Sequence, residues 1–583
     1  ASSYLRFPSR MSESMDHDQV AAILFARWPE VKAPWFDDLR RMQNYSASLG
    51  KWTTLEDFFS YTDSAGRLSS YDVGDYLSPE MLHAVARQEH LPIERHVLAA
   101  TAQRNLETAR FCTQIESLIR RGEIDEIPFR NTELQLDRLY EETEPAQLAE
   151  EHRESSSQNL ASLLLKQDDS TPEGLLLINP LSFDRKTLVK FAESEEKNGS
   201  NLQGVVQVPG CGFLWVSEND LPKPQSPAPN ALPLAEGLTL RNGTFEVELH
   251  ERTGGIASLK KPGRAPNRLS LQLAYRFPQE RTLPATDPSS SPVKSWYSRM
   301  EMIENRVISS GPLVGEIESH GRLVDQLTDE NLAEFHIRYK VTKGLPYLSI
   351  DVELETDHLP EGDPWSNYYC LRWAWNDSTA ALTRSQLSQP QPFRMQRFEA
   401  PDFFEIASDS DRTTLLFGGL SFHRKTDERI LDTVLIVEGE ATRKFRLGVA
   451  FDQSYPLRAA SDFFAPPTIV PSKCQTPAFG SQGWFFHVDT RAVQILEIGP
   501  IRPEFSDSTE STSTPSTKKS GCSLLITETE GRTGRAAIRC FRTPTQARKT
   551  DAGGGTIVDL PIEGDAVIVH LSAFETTLVE LLF

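Results

Sequence analysis

The sequence predicts a multidomain α+β protein in which an α-helical bundle precedes a large all-β sandwich region. Three observations carry this prediction. The chain has 583 residues, which is more than a single hydrophobic core usually organises. Apolar residues recur with a helical period between residues 78 and 166. Beyond residue 170 they alternate with polar residues, as they do in half-buried strands.

The composition limits the possible partners and the compartment. The formal net charge is -21, which argues against nucleic acid or an anionic membrane as a partner, because both require a basic surface. No apolar run approaches the roughly 20 residues that span a bilayer, and no signal peptide is present, so we expect a soluble protein. Six scattered cysteines do not indicate a disulfide framework. Because the chain begins at Ala1 and not at a methionine, we expect a processed product or a fragment.

Residues 78–168 predict the α-helical domain. Ser78 and Pro79 give "SPEMLHAVARQEH" the start signal of a helix. A long amphipathic run from Ile93 ends in an Arg-Arg-Gly sequence at Gly122, which is typical of a helix C-terminus. Two further helices are predicted in "TELQLDRLYEE" and "PAQLAEEHRESSSQNLASLLL".

After Asp168 the period changes from helical to alternating. "GLLLINPLSFDRKTLVKF" predicts two short strands around an Asn-Pro turn, and with "VVQVPGCGFLWV" it forms a small β domain at 169–218. Residues 219–235 are rich in proline and predict an extended linker. From 236 to 583, short strands separated by turn signals predict β-sandwiches.

The stretch "LRNGTFEVELHERTGGIASL", residues 240–259, predicts a β-hairpin that opens this last region. Phe245, Val247 and Leu249 alternate with polar residues, so we expect these three side chains to face the core. Gly254 and Gly255 are expected at the turn, at least one of them with a positive φ.

Four stretches, taken in order, resemble the glycoside hydrolase family 38 α-mannosidases. They are "TLEDFFSYTD" at 54–63, "LLLINPLSFDRKTLVKF", the hairpin at 240–259, and "RYKVTKGLPYLSIDVELE". The resemblance implies that residues 1–77 form the C-terminal end of a catalytic β/α barrel. It also implies that 236–583 contains a galactose mutarotase-like supersandwich and a terminal β-sandwich. The implied activity is hydrolysis of α-mannosidic bonds, with a mannose-containing glycan as the partner.

The resemblance also implies zinc, because enzymes of this family are zinc-dependent retaining glycosidases. Their metal is held by an early His-x-Asp pair, by the nucleophilic Asp and by a His-Asp motif in the helical region. In this chain the first two would lie upstream of Ala1, and the helical region contains no His-Asp pair. The zinc-binding motif of the family is therefore not found.

Other residues are candidates for a metal or a sugar. His17 and Asp18 cluster ahead of a predicted helix. The alternative is that acidic residues at this position cap the helix N-terminus and interact favourably with its dipole. His487 and Asp489 form the His-x-Asp spacing, which places both side chains on one face of a strand. The aromatic residues Trp365, Tyr368 and Trp373 are candidates for stacking on a pyranose ring, with the core of a sandwich as the alternative.

Three functions stay open from the sequence. The first is an α-mannosidase-type glycoside hydrolase. The second is a catalytically inactive relative that binds carbohydrate or acts as a scaffold. The third is a purely structural multidomain β-protein.

Overall fold

The structure is a computed structural model, and the residues that it describes fall in seventeen ranges. They are 27–28, 31–32, 36–44, 52–61, 79–122, 124–136, 144–167, 173–191, 203–221, 232–263, 265–283, 292–392, 394–409, 411–465, 467–473, 475–501 and 521–583. The chain divides into two compact units, Ala1–Asp75 and Tyr76–Phe583.

The described part of the first unit is small. Strand β1 (Arg27–Trp28) pairs antiparallel with β2 (Val31–Lys32), and helices α1 (Phe36–Gln43) and α2 (Leu55–Tyr61) follow. Asp37 and Asp38 lie in the first turn of α1, where negative charge suits the helix dipole. The end of a β/α barrel predicted for residues 1–77 stays a prediction.

The second unit begins with four helices. They are α3 (Glu80–Ala86), α4 (Glu94–Arg120), α5 (Ile127–Gln135) and α6 (Glu144–Leu164). Buried side chains of α4, α5 and α6 pack together, among them Leu106, Phe129 and Ala149. Helix α4 ends at Arg121 in the left-handed conformation, with φ of 57°. Within the described residues, no helix combines the length and the apolarity that crossing a bilayer requires.

A carboxylate from a distant part of the chain caps the start of α4. Oε2 of Glu440 accepts hydrogen bonds from the backbone N–H groups of Ile93 at 2.9 Å and Glu94 at 3.1 Å. These N–H groups have no partner inside the helix, and the carboxylate also meets the positive end of the helix dipole. The cap ties α4 to the β-region more than 300 residues later in the sequence.

The strands follow the helices along the chain. The first five are β3 (Leu165–Gln167), β4 (Gly174–Asn179), β5 (Arg185–Lys190), β6 (Gln203–Val208) and β7 (Gly212–Ser217). The next nineteen are β8 (Ala235–Glu236), β9 (Thr239–Arg241), β10 (Glu246–Leu249), β11 (Ile256–Lys260), β12 (Leu269–Leu283), β13 (Val293–Tyr297), β14 (Arg299–Ser310), β15 (Val314–Val324), β16 (Asn331–Thr342), β17 (Tyr347–Glu355), β18 (Tyr368–Trp375), β19 (Ala381–Gln386), β20 (Gln389–Pro392), β21 (Arg397–Glu399), β22 (Phe403–Ala407), β23 (Arg412–Leu416), β24 (Phe422–Asp427), β25 (Ile430–Ile436) and β26 (Lys444–Phe451).

One helix and twelve strands complete the described part of the chain. They are α7 (Pro456–Phe464), β27 (Thr468–Ser472), β28 (Gln475–Pro477), β29 (Gln482–Trp484), β30 (Phe486–Val488), β31 (Val493–Gly499), β32 (Gly521–Glu528), β33 (Gly534–Cys540), β34 (Gln546–Thr550), β35 (Thr556–Asp559), β36 (Ile562–Glu563), β37 (Ala566–Leu571) and β38 (Thr576–Leu582).

Strands β8 to β26 build the large β-sandwich region that the sequence predicts. One sheet has the order β21-β24-β25-β18-β12-β11-β10-β9-β8, with β13 paired to β12. The other has the order β14-β15-β16-β17-β26-β23-β22-β19-β20. Side chains of the two sheets share one core, as when Trp375 of β18 packs 6.0 Å from Phe404 of β22 between ring centroids. The description of this region as a mutarotase-like supersandwich stays a prediction.

The hairpin prediction is confirmed in its turn and in its faces. Strand β10 pairs antiparallel with β11. Phe245, Val247 and Leu249 are buried, while Glu248 is exposed. Gly254 has a φ of +73°, which a glycine adopts without the penalty that a Cβ brings.

The small β domain is not contiguous in sequence, and this corrects the predicted range 169–218. Its four-stranded sheet has the order β27-β4-β7-β29, so two of its strands come from residues that follow the large sandwich. A two-stranded sheet joins β28 to β3 in the same way. Of the predicted linker 219–235, residues 222–231 lie outside the described residues, and Ala235 already belongs to β8.

The last strands form the terminal part of the fold. A four-stranded sheet, β30-β33-β37-β36, and a five-stranded sheet, β31-β32-β38-β34-β35, enclose a common core. That core extends to Phe111, Ile115 and Leu118 of α4. Five cysteines in the described residues are free and buried.

Candidate functional site

The aromatic residues predicted to stack on a sugar lie inside the large sandwich. Trp365 is 1% exposed, and Tyr368 and Trp373 are 0% exposed. The Tyr368 hydroxyl donates to Oδ2 of Asp432 at 2.9 Å, and Nε1 of Trp373 donates to Oγ1 of Thr433 at 3.0 Å. Since none of the three rings has a face open to solvent, the assignment to sugar stacking is corrected to core packing. A dense aromatic run favours both roles equally, so the sequence could not separate them.

Asp432 is the centre of this buried polar cluster. Its side chain accepts from the hydroxyl of Tyr297 at 2.7 Å and lies 3.2 Å from Nε of Arg372. Burial raises the pKa of Asp432, and the Arg372 charge opposes that rise. Paired in this way, the carboxylate joins β13, β18 and β25 within one sheet.

The metal candidates divide between the two ends of the chain. His17 and Asp18 lie outside the described residues. His487 and Asp489 are both exposed and line the same cavity, as expected for neighbouring positions on one face of a strand. Oδ1 of Asp489 accepts the backbone N–H of Ala537 at 2.8 Å, so one carboxylate oxygen is already engaged.

Zinc of the kind implied by the resemblance does not fit the described residues. A zinc site in an enzyme ordinarily has three protein ligands and one open position. Across the described ranges, His, Cys, Asp and Glu side chains form no group of three or more that could share a metal ion. His487 and Asp489 therefore provide a two-residue donor set at most.

The cavity lined by His487 and Asp489 is the candidate functional site. Its volume is about 560 Å³, within the range of small-molecule sites. Four parts of the second unit contribute to it: the turns of the small β domain, the β16–β17 connection, α7 with the residues just before it, and the segment from β29 to β31. The lining residues used below are Phe183, Asp184, Tyr347, Tyr455, Arg458, Asp462, Trp484, His487, Asp489 and Arg491.

The Asn-Pro turn shapes one wall of the cavity. Nδ2 of Asn179 donates to the carbonyl oxygens of Phe183 and Pro209, each at 2.9 Å. Two chain reversals are thereby held side by side. Gly210 lies at their contact, where a Cβ would come within 2.6 Å of the Phe183 backbone. The motif that drew attention in the sequence thus has a structural role beside the site.

A buried ion pair lies next to the cavity and includes one of its lining residues, Asp462. Arg185 is 3% exposed, and its Nε lies 2.6 Å from Oδ1 of Asp462. The hydroxyl of Tyr347 donates to Oδ2 of the same carboxylate at 2.6 Å. Burial and the Asp462 charge raise the pKa of Tyr347 well above its ordinary value. This network joins β5, α7 and β17, and it fixes the three elements around the cavity.

The cavity is also lined by one exposed aromatic ring, Trp484, and by two arginines, Arg458 and Arg491. Trp484 is 41% exposed, and its ring lies 5.9 Å from that of His487. The Arg458 guanidinium lies over the ring of Phe183 at 4.2 Å and near that of Tyr455 at 5.5 Å. Burial, and then the charge of Arg491, lower the pKa of Arg458.

Sequence reasoning found only two members of this site, His487 and Asp489. Trp484 stands beside two buried phenylalanines in "GWFFHV", and no periodic signal separates its exposed ring from theirs. Arg458 and Arg491 are two of the 61 lysines and arginines in the chain, so residue type alone could not select them. Their proximity arises only when four distant segments meet.

The fold resembles that of two solved structures from Enterococcus faecalis. One is an α-mannosidase from strain V583, with a TM-score of 0.61 and 9% sequence identity over 85% of this chain and 68% of that chain. The other is a protein in glycosyl hydrolase family 38, with a TM-score of 0.62 and 10% identity over 96% of this chain and 81% of that chain. No protein-family model and no curated sequence matches the chain. At these identities the likeness establishes a shared fold.

Proposed function

We propose that this chain is a carbohydrate-active protein of the α-mannosidase type, with hydrolysis of α-mannosidic bonds in glycans as its leading activity. The observation that carries the proposal is the fold similarity to a family 38 structure over 96% of the chain. The order of the motifs in the sequence agrees with it. The partner in this proposal is a mannose-containing glycan.

The cavity supports the proposal through the chemistry of its walls. Sugars are recognised by an aromatic face, which packs on the C–H groups of the pyranose, together with polar side chains that bond its hydroxyls. Trp484 offers such a face beside the ring nitrogens of His487. The carboxylate of Asp489, which accepts one backbone N–H through Oδ1, adds an acceptor for a sugar hydroxyl.

A second candidate function is glycan binding without hydrolysis. The observation that favours it is the donor set, since the described residues do not bring three metal ligands together. The helical region also lacks the His-Asp pair that the resemblance leads one to expect. A protein of this kind would keep the saccharide cavity and lack turnover.

The two candidates are separated by measuring turnover and binding on the same purified chain. Release of nitrophenol from 4-nitrophenyl α-mannoside, with and without added zinc, tests hydrolysis, and the β-mannoside and α-glucoside are controls. Calorimetric titration with mannose and a mannose oligosaccharide tests binding. Turnover confined to the α-mannoside supports the first candidate. Binding without turnover supports the second, and the absence of both contradicts the proposal.

A further inference from the structure

Two arginines at the cavity, Arg458 and Arg491, make no direct ion pair with a described residue. Neither Arg458 nor Arg491 forms an ion pair or donates a hydrogen bond to another described residue. Arg491 is exposed, and Arg458 is half-buried with its planar group held over Phe183. In a chain with a formal net charge of -21, two neighbouring guanidinium groups that no carboxylate of the described residues pairs with directly are unexpected.

The carboxylates in the same cavity already have donors. Both oxygens of Asp462 are engaged, one with Arg185 and the other with the hydroxyl of Tyr347. Asp184 accepts the Gly210 backbone N–H through Oδ1 at 3.0 Å, and Oδ2 accepts from the side chain of Gln207 at 3.1 Å. Of the three carboxylates that line the cavity, only Asp489 has an oxygen that accepts no hydrogen bond from a described residue. The carboxylates of Asp184 and Asp462 are therefore bonded to donors of the protein itself. The guanidinium groups of Arg458 and Arg491 keep their N–H donors for a ligand.

We propose that the cavity binds a pyranose that carries an oxyanion, with Arg458 and Arg491 on the anionic group and Trp484 against the sugar ring. The oxyanion is a carboxylate or a sulfate ester, both of which present oxygen acceptors at similar spacing. This inference rests on the proposed function, because it specifies which saccharides the site takes.

Arginine is suited to this role by its geometry. A guanidinium presents parallel N–H donors that match two oxygens of a carboxylate, sulfate or phosphate, and such charge-assisted bonds are stronger than neutral ones. Stacking on Phe183 holds the Arg458 plane in place before a ligand arrives, so less side-chain entropy is lost on binding. The second arginine, Arg491, is exposed and adds positive charge at the same cavity.

The test compares saccharides that differ only in charge. The full chain is titrated in a calorimeter with mannose, mannuronate and mannose 6-sulfate, and with acetate and inorganic sulfate as anions without a ring. We expect mannuronate or mannose 6-sulfate to bind at least about tenfold more tightly than mannose, which corresponds to about 1.4 kcal/mol. The arm that binds more tightly identifies the carboxylate or the sulfate as the preferred group.

Variants locate the anion within the cavity. Arg458→Gln and Arg491→Gln should each weaken binding of the charged sugar far more than binding of mannose, and so remove most of the preference for the charged sugar. Arg394→Gln is the matched control, because it removes one positive charge from an exposed side chain that neither lines the cavity nor forms an ion pair with a described residue. Thermal unfolding of each variant verifies the fold, and Arg491→Gln keeps the test valid if loss of the Arg458 stacking contact destabilises the chain.

Salt provides a second readout. Raising the sodium chloride concentration should weaken mannuronate binding and leave mannose binding unchanged, because screening acts on the charged contact. Equal affinity for mannose and for both charged sugars would overturn this inference while leaving the proposed function in place. Acetate or sulfate bound as tightly as the corresponding sugar would also overturn it, since the ring would then contribute nothing. Failure of every saccharide to bind would contradict the inference and the proposed function at this site together.

Discussion

At the scale of single residues, Gly254 is constrained by both its backbone and its surroundings. Its φ of +73° disfavours any residue with a Cβ, and an added Cβ would lie 2.0 Å from Oγ of Ser319. Gly237 has a similar φ of +56° and no atom within 4 Å of the same position. The two glycines therefore separate a backbone requirement from a steric one.

We predict that Gly254→Ala destabilises the protein clearly more than Gly237→Ala. The control should lose on the order of 1 kcal/mol through its positive φ alone. The Gly254 variant adds a steric clash that the turn must relieve by moving. Urea unfolding of both variants measures the difference, and equal losses would show that Ser319 adjusts without cost.

At the scale of elements, β10 divides a buried face from a solvent-facing one. Phe245, just before the strand, is 1% exposed, and its ring packs 5.4 Å from that of Phe451 on the opposite sheet. Glu246 is half-buried and lies 3.8 Å from Nε of Arg241, a weak surface pair.

We predict that Phe245→Ala costs about 3–5 kcal/mol, because it leaves a cavity between the two sheets. Glu246→Ala should lower the free energy of unfolding by no more than about 0.5–1 kcal/mol. Thermal unfolding of the two variants gives the comparison. If their midpoints fall equally, the assignment of faces to this strand is wrong.

The start of α4 makes stability depend on pH. Burial, with the Glu440 charge as the second cause, raises the pKa of Glu94 from its ordinary value of 4.5 to about 7. The folded chain therefore binds this proton more tightly than the unfolded chain does. Its contribution to stability is fully present below pH 4.5 and is lost as the pH rises to about 7.

We predict that Glu94→Gln stabilises the protein at pH 8 and has little effect near pH 4.5. The expected gain at pH 8 is on the order of 1–2 kcal/mol, allowing for solvent screening of a partly exposed side chain. Urea unfolding at both pH values measures it, with Glu248→Gln on the exposed side of β10 as the control. A gain that does not change with pH would contradict this account of Glu94.

At the scale of the whole molecule, the candidate site belongs entirely to the second unit. Every residue that lines the cavity falls between Ser182 and Val493, and the unit Tyr76–Phe583 has its own cores. We predict that a chain of residues 76–583 folds cooperatively and binds the same saccharides as the full chain, with an affinity within about threefold. Calorimetric titration of both chains checks this. Loss of binding on truncation would place part of the site in residues 1–75.

The sequence was sufficient to predict features that depend on residues close to one another along the chain. Alternation placed Phe245, Val247 and Leu249 on the core side, because strand faces are set by a period of two. For Trp365, Tyr368 and Trp373 the sequence left both sugar stacking and core packing open, since the choice depends on a second sheet that covers them. The membership of β27 and β29 in the small β domain escaped for a similar reason, because strand pairing across a whole domain leaves no local pattern.

The same distant pairing has a consequence for the synthesis of the chain. Ile178 of β4 pairs with Thr468 of β27, and at about 5–20 residues per second the ribosome needs about 15–60 s to cover the interval. During that time the large sandwich can fold, while β4 of the small sheet still lacks β27 as its partner strand. The cavity closes only after His487, Asp489 and Arg491 have left the ribosome. A saccharide that binds in this cavity would therefore bind only those newly made chains in which β27 and β29 have already joined the small sheet.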